Sequence, residues 1–204
     1  MKNILFIVFA AFLVFAAISC KGGGEKGGKT KEAEQFDFRK VIWGMNREEV
    51  EASENTKPTG IRPGLITYRS VYNGMNVIVG YLFDGDKLVR AGYLMQDSHE
   101  APGKYVADYD KAKKKLIKEY GSPAQDNMVW STGQQETGPA KYGESVCAGK
   151  LRYATVWFNA RTLVRETLDG VDGKCRMGIM FESIEMYVKP MTEKSKAPRA
   201  TTAP

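Results

Sequence analysis

The 204-residue chain is poor in the side chains on which much protein chemistry depends. It has one histidine, His99, three cysteines and three tryptophans. A single imidazole excludes a His-rich transition-metal centre. The stretch GESVC at residues 143–147 lacks the G-x-S-x-G spacing of a nucleophile elbow. The acidic stretches DGD at 84–86 and DGVDG at 169–173 lack the alternating ligand spacing of an EF-hand loop. Their carboxylates are what a tight turn prefers. Strong charge is also missing from the body of the chain. The net +6 resides mostly at the ends, and residues 36–189 hold 22 basic and 20 acidic side chains. That balance argues against a nucleic-acid footprint, which needs basic residues gathered on one face.

What is present begins with the N-terminus, MKNILFIVFAAFLVFAAISC. Lys2 precedes an unbroken apolar run of fourteen residues, Ile4 to Ala17. As a helix this run would span about 21 Å, short of the ~30 Å hydrocarbon core of a bilayer. It reads as the h-region of a signal peptide over residues 1–19. Ala17, Ile18 and Ser19 before Cys20 resemble the lipobox of bacterial lipoproteins, with Ala17 where leucine is commoner. The resemblance implies that the Cys20 thiol is alkylated by a diacylglyceryl group, that cleavage occurs before Cys20, and that the new amine is acylated. The chain would then be held at a membrane through lipid on Cys20, since two or three acyl chains anchor stably where one does not.

Residues 20–35 are rich in Gly, Lys and Glu and cannot bury a core, so they read as a flexible linker. Gly23, Gly28, Lys29 and Thr30 within them match the P-loop pattern G-x-x-x-x-G-K-[ST]. A working P-loop lies between a buried strand and a helix. Here the preceding apolar run is the signal segment, so no nucleotide-binding site is expected. Residues 190–204, PMTEKSKAPRATTAP, read as a disordered tail. Behind a secretion signal, Cys147 and Cys175 would meet an oxidising compartment, where an even pair usually forms a disulfide; two free buried thiols are the alternative. A Cys nucleophile paired with His99 has no support from the residues around either cysteine.

Residues 36–189 read as one α+β domain, an antiparallel sheet with one short and one long helix. Asn46 and Glu49 form an N-x-x-E capping box, flanked by Met45 and Val50 as a hydrophobic staple, and start a helix over about 47–54. LITYRSVY, MNVIVGYLF and KLVRAGYLM follow as strands, separated by the turn signals Asn73-Gly74 and Asp84-Gly85-Asp86. A helix over about 105–120 carries a core stripe of Tyr105, Tyr109, Ala112, Leu116, Ile117 and Tyr120. Lys111, Lys113, Lys114, Lys115 and Lys118 fill the remainder, a face suited to an anionic partner or simply to water. NMVWS, a polar loop over 133–150, LRYATVWFN and TLVRETL joined at Ala160-Arg161, and CRMGIMFESIEMYV complete the domain. The order helix, strands, helix, strands suggests two similar helix-plus-meander halves.

FRKVIWGMNREEVEASE followed by YGSP resembles small bacterial lipoproteins. The helix-then-meander order is loosely similar to lipoprotein subunits of outer-membrane assembly machinery and to proteinaceous enzyme inhibitors built from helix-plus-sheet repeats. These resemblances imply a non-catalytic binding or assembly role with a protein or cell-wall partner. Lys21 after Cys20 lacks the aspartate that favours inner-membrane retention, which points to the periplasmic face of the outer membrane. No catalytic, metal or cofactor residues and no nucleic-acid partner are expected. The competing expectation is an envelope hydrolase acting through a carboxylate pair. Trp43, Trp130 and Trp157 fit either a core or a stacking surface for glycan or protein.

Overall fold

The structure, a computed structural model, describes residues 36–131, 138–190 and 192. The signal segment, Cys20, the linker with its P-loop match, and the tail beyond Thr192 lie outside the described residues. Eight strands form one antiparallel sheet: β1 Gly60–Arg62, β2 Leu65–Tyr72, β3 Met75–Asp84, β4 Lys87–Met95, β5 Gln125–Trp130, β6 Leu151–Phe158, β7 Thr162–Val171 and β8 Lys174–Ser183. Their spatial order is β1-β2-β3-β4-β8-β7-β6-β5. Each half is a meander of four consecutive strands. Helix α1, Arg47–Ser53, precedes the first, and helix α2, Gly103–Tyr120, precedes the second. The meanders meet at their last strands, where Gly92 of β4 lies opposite Met180 of β8. The domain is α+β.

Local chemistry accounts for most element ends. The Asn46 side chain accepts from the Glu49 N–H at 3.0 Å, and the Glu49 carboxylate accepts from the Asn46 N–H at 2.8 Å. This reciprocal pair satisfies two amides that the first turn of α1 leaves unbonded. Asn73 and Gly74 both take positive φ, 51° and 80°, as a two-residue turn matching the right-handed strand twist requires. Asp172 and Gly173 do the same between β7 and β8. The β6–β7 turn is one residue longer than expected. Asn159 Oδ1 accepts from the N–H groups of Arg161 and Thr162, each at 2.8 Å, and closes an Asx turn.

Four other details differ from expectation. Strand β1 is three residues lying between Pro58 and Pro63, too short for its alternation to register. The segment read as a loop over 133–150 contains a 3-10 turn at Pro139–Lys141 and a six-residue helix, α3, Tyr142–Cys147. The last segment is not one continuous strand: Ser183 Oγ accepts from the Met186 N–H at 3.1 Å and opens a helical turn over Ile184–Val188. Ile117 is exposed and leaves the α2 stripe to the buried Tyr109, Ala112 and Leu116 with the half-buried Tyr105 and Tyr120 packed beside them. One position in the expected stripe therefore points away from the sheet.

The core lies between one face of the sheet and the helices. Ile66, Tyr68, Val79, Tyr81, Ala91, Trp157, Val164, Leu168 and Ile179 project from the strands into it. The segment before α1 closes one end. Phe38 packs its ring 4.8 Å from Phe181 and 5.7 Å from Tyr81. The buried Asp37 carboxylate accepts from the Trp43 N–H and from Arg161. No described helix is long and apolar enough to cross a membrane.

Candidate binding surface

Strand alternation decides what each face shows. In β2, Ile66, Tyr68 and Tyr72 point to the helices, so Leu65, Thr67, Arg69 and Val71 point the other way. The strand register carries that second set across the sheet: Thr67 opposite Gly80, Gly80 opposite Gly92, Gly92 opposite Met180, and Met180 opposite Arg165. Among the described residues no helix covers the body of this face. Only Tyr187, in the turn after β8, reaches it, with the Arg90 guanidinium 4.4 Å from its ring centre. Apolar side chains stand open here, including Val71 at 63% exposure, Leu94 at 43% and Phe158 at 64%. Scattered exposed apolar residues need no explanation, but a continuous sheet face carrying them does.

Basic charge predominates on this face. Arg62, Arg69, Arg90, Arg152, Arg165 and Arg176 come one each from β1, β2, β4, β6, β7 and β8. Away from the turns, the acids among them are Asp169 and Glu182. Glu182 holds Arg90 at 3.0 Å and Arg165 at 3.4 Å, while Asp169 takes Arg176 through two hydrogen bonds at 3.0 and 3.1 Å. Arg62, Arg69 and Arg152 have no carboxylate partner among the described residues. In the sequence, LITYRSVY, KLVRAGYLM, LRYATVWF, TLVRET and KCRMG each hold one arginine out of phase with the buried positions, and only the strand register assembles them into a patch.

The middle of the face is hollow. A depression of about 490 Å³ is lined by Leu82, Leu94, Met180 and the glycines 80, 92 and 178. A second of about 370 Å³ adjoins it through Leu65, Thr67 and Ile78, beside Arg62 and Arg69. The joint between the meanders requires one of the glycines and crowds a second. A Cβ on Gly92 would lie 2.5 Å from the Ile179 carbonyl oxygen, and one on Gly178 would lie 3.2 Å from the Tyr93 oxygen. Close approach of β4 to β8 thus removes the side chains that would have filled the hollow.

The residues singled out in the sequence lie elsewhere. Cys147, at the end of α3, and Cys175, inside β8, are joined by a disulfide. The bond ties α3 to the sheet, where a Cβ on Gly170 of β7 would meet the Val146 carbonyl oxygen at 1.9 Å; Gly143 of α3 lies as tightly against Pro102 at the start of α2. The GESVC stretch is this helix. His99 pairs with Asp108 at 2.6 Å and has no cysteine beside it. Trp43 and Trp157 are buried, donating to Thr162 Oγ1 and to the Gly121 carbonyl. Trp130 packs edge-on against Tyr142. The α2 lysines line a surface hollow of about 600 Å³ with Asn73. Lys113 pairs with Asp126 and Lys115 with Glu119. Among the described residues no group of acids, His or Cys is placed to hold a metal ion.

One buried acid stands apart. Glu166 of β7 is 0% exposed beneath α2, and neither of its oxygens has a hydrogen-bond partner. Burial pushes its pKa up to about 9 against the pull of Lys113, with Asp110 and Asp126 pushing the same way as burial. It is therefore neutral at pH 7. It lines none of the hollows described above, so its chemistry bears on stability.

No protein-family model, no curated protein and no solved structure matches this chain.

Proposed function

We propose that this chain is a lipid-anchored cell-envelope protein whose folded domain works by binding, through the open face of its sheet. The observation that carries the binding reading is the asymmetry of the sheet. One face is sealed by helices, and the other holds apolar side chains and arginines around a hollow. Arginine, aromatic side chains and methionine are what protein interfaces favour, and this face offers Arg69, Arg152, Phe158 and Met180. The anchor reading rests on the lipobox, AAISC, and on the linker of residues 21–35, which gives the domain reach from a bilayer. Such a protein holds a partner near the membrane, on the periplasmic side of the outer membrane, without a chemical step of its own.

Two measurements test the two parts. Cys20→Ala abolishes labelling by a fatty-acid probe; labelling that persists removes the anchor reading. For binding, full-length protein purified from detergent-solubilised envelopes brings down a partner at near-equal amounts. The double variant Leu94→Asp, Phe158→Asp does not, although it melts like the wild type. Equal recovery with both proteins would remove the open face from the function.

A further inference from the structure

We infer that the open face takes a protein partner that presents an apolar side chain flanked on both sides by carboxylates. This rests on the reading of that face as the binding surface and names the chemistry of what it binds. The floor of the hollow is backbone and aliphatic side chain: Gly80, Gly92 and Gly178 with Leu82, Leu94 and Met180. Much of the rest of the lining is polar, Thr67 on β2 with Thr167 and Asp169 on β7 beside the arginines, so an apolar group seats against the β3 and β4 side chains with polar groups around it. The flanks are basic. Arg62 and Arg69 stand beside the adjoining hollow at one side, and Arg152 stands on β6 at the other. These three arginines are the ones without a carboxylate of their own among the described residues. Guanidinium forks match carboxylates in geometry as well as charge, and Arg serves at such sites where Lys does not. Arg90, Arg165 and Arg176 are already engaged by Glu182 and Asp169. Against those two carboxylates they leave a net of one positive charge between the unpaired arginines.

Other occupants fit less well. The chain's own segments outside the described residues, 21–35 and 193–204, are each net basic and carry the same sign as the face. A second copy using the same face would place six arginines against six. A plane of anionic headgroups would meet the charges but leave the recessed floor unfilled. Lys111, Lys114 and Lys118, which line the α2 hollow and have no acidic partner among the described residues, are better suited to that use.

The test is site-specific photocrosslinking in cells that express the full chain natively. A benzophenone amino acid is placed at Leu94 on the open face or, separately, at Lys118 on α2. The expected result is a protein adduct from the Leu94 position whose crosslinked peptide holds Asp or Glu on both sides of an apolar residue. Arg69→Glu with Arg152→Glu should lower its yield about tenfold or more, whereas Lys114→Glu with Lys118→Glu should leave it unchanged. A Leu94 adduct to a neutral or basic peptide would overturn the acidic partner and leave the open face as the binding surface. No protein adduct at Leu94 would overturn both, whether or not Lys118 gives one. Sedimentation of purified protein with phosphatidylglycerol vesicles, abolished by the Arg69 and Arg152 reversals, would assign the face to lipid and overturn the proposal.

Discussion

On the covered side of the sheet, β2, β3, β7 and β8 present Tyr68, Tyr81, Val164 and Ile179 to the helices. On the other side the same strands present Arg69, Gly80, Arg165 and Gly178. The side chains alternate along each strand, so the two faces were written in one sequence by two different requirements. The covered face is chosen for volume and apolarity, which hold the fold together. The open face keeps three arginines with no carboxylate partner among the described residues, three held by Glu182 and Asp169, and glycines that leave space. Away from Gly92 and these ion pairs, substitutions should therefore separate, with large losses of stability on the covered face and small ones on the open face.

The largest effect is expected from Trp157→Ala. Its side chain is fully buried and its indole N–H donates to the Gly121 carbonyl at the end of α2. Truncation should cost about 3–5 kcal/mol in urea unfolding. Next comes the disulfide. Replacing Cys147 and Cys175 with alanine releases a link across 28 residues, and should cost about 3–4 kcal/mol in the chain-entropy model. Little change would mean that packing of α3 alone holds this corner.

Glu166 gives a prediction of similar size with a definite sign. Below its unfolded pKa near 4.5 the carboxyl is neutral in both states and adds no pH dependence. Above that value the unfolded chain loses the proton while the folded one keeps it up to about pH 9. Stability from this group is therefore present at low pH and falls as pH rises through that window, by roughly 3 kcal/mol at pH 7. Unfolding measured at pH 5 and pH 8 should show this slope, and Glu166→Gln should flatten it. A slope unchanged in the variant would place its origin elsewhere. A smaller loss, about 1 kcal/mol, is expected for Asn46→Ala, which removes the cap of α1. The smallest effect belongs to the open face: Arg69→Glu and Arg152→Glu should each change unfolding free energy by less than about 0.5 kcal/mol. A loss of 2 kcal/mol at either position would break the division between the faces.

The covered face was largely legible in the sequence, because its signals are local and repeated. Asn46 and Glu49 announce α1, Asn73-Gly74 announces a hairpin, and Val77, Val79 and Tyr81 alternate as one buried row. Strand β1 and helix α3 were missed for lack of length. Three residues show no period, and Gly143 inside a six-residue helix weakens its pattern. The open face was illegible for a different reason. Each strand contributes a single arginine, and one arginine per strand is unremarkable until the register lines them up. The order of strands, with β4 beside β8, is set by contacts between residues some 84–92 positions apart, Leu94 with Gly178 and Arg90 with Glu182. No local pattern encodes that pairing.

The same joint has a kinetic consequence. Within each half, most strand pairs are hairpins that close over short stretches of chain, and such contacts form early. The β4–β8 pairing needs both meanders to exist and then to find each other, with Gly92 and Gly178 admitting the close approach. The hollow is made half from β2, β3 and β4 and half from β6, β7 and β8, so neither meander alone contains it. The hollow should therefore be complete only with the last long-range contact. A chain caught before that step would hold two sheets and no hollow. A partner seated across the joint would act as a clasp on the slowest-forming part of the fold, and its departure should be felt first as faster hydrogen exchange along β4 and β8.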